Sequence, residues 1–126
     1  MKQVFCAGLL AAMLSIGGCA ARPLHPGAAN QFDSTTYDTL ITAKSVIDTT
    51  KTDLANNAFP AAVAGNVKTA VNDLITAYNA LDTAYKAYHQ AALSGTATQA
   101  QTDAVNAAAA KVNTATQALT SAKGAK

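Results

Sequence analysis

Between positions 67 and 92 the chain repeats itself every seven residues. Val67, Leu74, Leu81 and Tyr88 form one row, Val71, Tyr78, Tyr85 and Ala92 a second, and Ala70, Ala77, Ala84 and Ala91 flank them. Seven residues are close to two turns of α-helix, so each row keeps to one face, and an apolar seam held this long is stable only when buried against other helices. The opposite face carries Thr69, Asn72, Thr76, Asn79, Thr83, Lys86 and Gln90, polar but barely charged. Asp82 and Lys86 stand four apart in the favourable order for an ion pair along a helix. A strand, with its period of two, cannot hold this pattern, and a lone helix cannot bury it.

The partners lie on either side. Leu40, Ile47 and Leu54 fall seven apart with Ala43, Val46 and Thr50 beside them, which makes one apolar stripe. Asp33 or Ser34 is placed to cap this first helix, with Asp38 near the positive end of its dipole. It should stop at Asn56 or Asn57, because Phe59 precedes Pro60 and a residue before proline resists helical dihedrals. Pro60 suits the first turn of the second helix, and Gly65 should loosen that turn so that the regular part begins near Asn66. Ser94-Gly95-Thr96 ends it, with Gly95 the natural left-handed residue past the terminus. Thr98 and Gln101 have the spacing of a capping box for a third helix, whose seam is Val105, Val112 and Leu119 with Ala108, Ala115 and Ala122 between. Lys123 sits favourably in its last turn, and the three residues after it should fray.

Helices over about 34–57, 60–93 and 97–123, joined by two short connections, predict an all-α antiparallel bundle running up-down-up within 32–126. Rows of Tyr78, Tyr85 and Tyr88 facing the alanines of the third helix would interdigitate large with small. Alanine and threonine stand where leucine and isoleucine would bury more, so the expected stability is modest.

The first 19 residues set the address. Lys2 gives a basic start, an apolar run follows over 4–14, and Ile16-Gly17-Gly18 leads into Cys19. The run is about a dozen residues, short of the roughly 20 that cross a bilayer. This stretch resembles the lipobox of a bacterial lipoprotein signal peptide. The resemblance implies cleavage after residue 18, a diacylglycerol on Cys19 and a third acyl chain on the new N-terminus, a firm anchor where one chain alone would bind marginally. The alternative is an ordinary secretory signal cut near Ala20 or Ala21. With cleavage before Cys19, Cys6 is lost and the remaining cysteine is acylated, so no disulfide forms. Ala20 in place of Asp at the next position points to the outer membrane. Residues 19–31, with Pro23, Pro26 and Gly27, read as a lipidated tether, and His25 within it as a solvated loop histidine.

About 108 of the 126 residues would remain, one domain by size. Their net charge is about +1, since the formal +2 of the full chain includes Lys2. No basic face suggests nucleic acid as a partner. His89 ends the second helix beside Tyr85 and Tyr88, but no acid or nucleophile in the sequence converges on it, with Asp82 two turns away and Asp103 on another helix. Asp38, Asp48, Asp53, Asp73 and Asp82 are scattered over exposed faces. No catalytic constellation, phosphate-cradling loop or metal-ligand cluster is present, so neither an enzyme nor a cofactor is expected.

Alanine heptads behind a lipidated cysteine resemble the small alanine-zipper lipoproteins of the Gram-negative envelope, in anchor and style of packing. In that family one long helix trimerises and a C-terminal lysine is joined to peptidoglycan. Here residues 57–60 and 94–96 break the helix, while Lys126 keeps a C-terminal lysine that the resemblance makes a candidate attachment point. The expectation is a lipid-anchored envelope protein, facing the periplasm from the outer membrane, that scaffolds by self-association, by an envelope protein partner or by the wall. The other expectation is a small binding module gripping a peptide or glycan with Tyr78, Tyr85 and Tyr88.

Overall fold

A computed structural model describes residues 23–125. The expected signal segment 1–18 with Ile16, Gly17 and Gly18, the expected lipidation site Cys19, and Lys126 lie outside the described residues. Three helices account for most of the rest: α1 (Gln31–Ala55), α2 (Ala61–Leu93) and α3 (Gln99–Gly124). They form an antiparallel three-helix bundle in which α2, roughly 50 Å long, packs against both neighbours, while α1 and α3 meet each other only narrowly.

The ends of the helices follow local chemistry. Asn57 takes φ 53°, its N–H reaches the Leu54 carbonyl at 3.2 Å, and the Ala58 N–H reaches Asp53 at 2.9 Å. These two bonds are a Schellman close with asparagine in the left-handed seat. Gly95, φ 69°, closes α2 identically through Gly95 N–H to Ala92 and Thr96 N–H to Ala91. The Thr98–Gln101 capping box opens α3 with both reciprocal bonds made.

Three boundaries differ from expectation. The cap of α1 is Asn30, whose side chain accepts the Asp33 N–H at 2.9 Å, so the helix begins three residues before 34, and Asp33 and Ser34 are inside it. Pro60 is the N-cap of α2, with ψ 146°, and helical dihedrals begin at Ala61. The helix also runs unbroken through Gly65, because Val63 and Val67 on either side are buried and packing outweighs glycine's weak propensity.

The heptad rows find the interior. Val67, Leu74, Leu81, Val105, Val112 and Leu119 are each at most 2% exposed, and Leu40, Ala43 and Ile47 close the core from α1. The α1 seam is unusually polar: Thr36 and Thr50 are buried beside these residues. Their hydroxyls donate to the carbonyls one turn back, Phe32 and Val46, at 2.9 and 2.8 Å, so both buried hydroxyls have acceptors.

Across helices, Tyr85 and Tyr88 find aromatic partners on α1: Tyr85 is 6.2 Å from Tyr37 and Tyr88 is 4.9 Å from Phe32, centroid to centroid. The large residues fill the space at the start of α1, and small residues, Ala70, Ala77 and Ala108, are buried elsewhere in α2 and α3.

Candidate functional site

Two features stand out, on different faces of α1. The first is a buried carboxylate. The up-down topology brings the first turn of α1 beside the last turns of α2, and there Asp33, fully buried, meets His89. Asp33 Oδ2 accepts from His89 Nδ1 at 2.7 Å and from the Ala29 backbone N–H at 2.7 Å. Asp33 Oδ1 has no hydrogen-bond partner. A carboxylate out of water needs compensation, and the imidazole, the backbone donor and the positive end of α1 supply it.

Aromatic rings surround the pair. His89 stacks on Tyr85 at 5.5 Å, Tyr85 faces Tyr37, and Tyr37 lies 4.0 Å from His25. Burial, followed by the charge of Asp33, pushes the Tyr85 hydroxyl up to about 12. Tyr88 is buried and exchanges hydrogen bonds with the Asn30 amide, 3.0 Å from Nδ2 to its hydroxyl.

These contacts also fix the segment before α1. The residues from His25 to Ala28 make a turn closed by Ala28 N–H to His25 O at 2.9 Å, with Pro26 and Gly27, φ 87°, at the seats of a type II turn. The His25 N–H then donates to Ser34 Oγ at 2.8 Å. Residues 25–30 are thus fastened back along α1 instead of hanging as a tether, and His25 is half-buried against Tyr37 instead of solvated.

The chemistry available here is limited. Asp33 orients His89 as an acid orients a catalytic imidazole, yet no hydroxyl or thiol among the described residues is hydrogen-bonded to His89. Nor do three ligand-type side chains meet anywhere among the described residues. The arrangement holds elements together.

The second feature is a groove of about 360 Å³ between α1 and α3, where those two helices stand apart from each other. Phe32 and Val46 of α1 and Val105, Ala109 and Val112 of α3 line it, with no charged side chain along its length. Thr35, Thr36, Thr39, Thr42 and Thr116 also line it, and each donates its hydroxyl to the carbonyl four residues back at 2.8–3.0 Å. With the hydroxyls committed, these threonines offer methyl groups. Gln31, whose amide N–H donates to Thr35 Oγ1 at 3.4 Å, and Asn106 and Asn113 add polar amides to the lining.

Of the residues expected to bind, Tyr88 is buried, and Tyr78 and Tyr85 are half-buried against the core, so the three do not present an open aromatic face. The Asp33–His89 pair escaped sequence reasoning because the search for an acid followed α2 and α3, whereas topology supplies it from α1. The groove escaped because threonine reads as polar until its hydroxyl is seen to be occupied. No helix among the described residues is long and apolar enough to cross a membrane. No family model, curated protein or solved structure matches this chain.

Proposed function

We propose that the chain is a lipid-anchored cell-envelope protein with a structural or scaffolding role and no enzymatic activity. The lipobox-like residues Ile16, Gly17 and Gly18 before Cys19 supply the anchor, placing the bundle on the periplasmic side of the outer membrane. The observation that carries the scaffolding part is the clamp on residues 25–30, which fixes the segment just before α1 to the bundle. A protein that sets spacing or orientation at a membrane needs that stiffness. Lys126 is the candidate wall attachment: α3 ends at the far side of the bundle from this clamp, roughly 40 Å away along a helix of 26 residues.

Intact mass of the protein purified from membranes tests this. A triacylated chain beginning at Cys19, lost in Cys19→Ala, is the expected result, and muropeptide mass on the C-terminal fragment would assign Lys126. An unmodified chain beginning at Ala20 or Ala21 would refute the anchor.

The second reading, a small binding module, is favoured by one observation, the uncharged groove between α1 and α3. It replaces the tyrosine row as the gripping surface.

A further inference from the structure

We infer that the groove between α1 and α3 is a binding site for a single acyl chain of a free lipid. This deepens the binding-module reading and rests on it.

The lining sets the chemistry. Phe32, Val46, Val105 and Val112 give apolar walls, and the surrounding threonines have spent their hydroxyls on their own helix. No charged side chain lines the groove, so an ionic ligand would lose water there and find no counter-charge. An uncharged, flexible hydrocarbon meets no such cost. Its polar head would leave at the margin, where Gln31, Asn106 and Asn113 have amides to offer.

The dimensions set the shape. On α1 the lining runs from Gln31 to Val46, roughly 22 Å along the axis, so the site is long and narrow. A helix with its side chains is about 10 Å across, much wider than one hydrocarbon chain, and would stand largely outside a groove of this volume. The volume lies at the small end of ligand pockets and suits one slender chain.

The chain's own anchor is the less suitable source. Ser34 and Tyr37, which hold His25, stand roughly 150° around α1 from Thr35 and Thr39, so the N-terminal segment lies on the face turned away from the groove.

The experiment titrates the full chain carrying Cys19→Ala with octanoate, dodecanoate and palmitate by calorimetry, below their micellar concentrations. Saturable one-to-one binding is expected, tightening about fourfold per added methylene until the groove is filled. Ala109→Phe, which fills the groove from α3, and Thr39→Lys, which puts a charge into it, should each weaken palmitate at least tenfold. Circular dichroism checks that the helices are intact, and if one variant unfolds the other decides. No saturable binding, or binding indifferent to the variant that folds, overturns the site. Amide exchange over 105–116 in the wild-type chain in nanodiscs should match that of Cys19→Ala; slower exchange would give the groove to the protein's own acyl group and overturn the free-lipid assignment. The mass at Cys19 reads the anchor independently, so an acylated chain that ignores palmitate refutes only the groove.

Discussion

His89 Nδ1 lies 2.7 Å from Asp33 Oδ2, across 56 residues of sequence, and this contact joins the end of α2 to the beginning of α1. The carboxylate is fully buried while the imidazole is partly open to solvent, so the two partners are not equivalent. Loss of His89 strands a buried charge; loss of Asp33 leaves a ring that water can still reach.

His89→Ala should therefore lower stability by about 2 kcal/mol, and Asp33→Ala, which removes the buried charge along with its bonds, by less. Urea denaturation of both variants and of the double variant measures the coupling, expected to exceed about 1 kcal/mol. Additive effects would mean that the contact holds nothing.

Tyr85 should ionise well above the ordinary tyrosine range. An unfolded tyrosine ionises near pH 10, whereas this one is pushed up to about 12. Between those values the native state keeps a proton that the unfolded state has lost, so stability falls as pH rises. The contribution is intact below pH 10 and gone above 12. Absorbance of tyrosinate should show a late component that Tyr85→Phe removes.

Thr50 is fully buried with its hydroxyl on the Val46 carbonyl. That carbonyl belongs to the helix ladder, so Thr50→Val orphans nothing and exchanges a hydroxyl for a methyl in the core. A gain of about 0.5–1 kcal/mol is expected. Leu74→Ala, in the unexposed centre of α2, should instead cost about 2–5 kcal/mol. Thermal melts of the two variants compare them directly.

The two Schellman closes differ in the residue that takes the left-handed seat. Gly95→Ala should cost about 1 kcal/mol although a Cβ there meets nothing within 4 Å, because the penalty is in the backbone at φ 69°. Asn57→Gly should be neutral or gain a few tenths, since asparagine already tolerates φ 53°. Equal responses at the two sites would contradict this.

The seven-residue rows were readable in the sequence because burial on a helix is a one-dimensional pattern: Val67, Leu74 and Leu81 must share a face whatever surrounds them. The close at Gly95 and the capping box at Thr98 were readable for the same reason, since their bonds span only a few residues, whereas the stop of α1 was readable from Pro60 and not from the left-handed seat of Asn57. The start of α1 was less so, because Asn30, Asp33 and Ser34 can all cap, and what distinguishes them is that Asp33 is needed by His89 and Ser34 by His25.

By itself, then, the sequence determined three helices, their stops and the residues facing inward, all properties of local dihedrals and periodicity. Only the tertiary structure decided which helix each face meets. It turned Tyr85 and Tyr88 toward α1, paired Asp33 with His89, folded residues 25–30 back onto the bundle and parted α1 from α3 to leave a groove. Those outcomes depend on how three rods pack around unequal side chains, and a periodic pattern carries no information about the angle at which its neighbours lie.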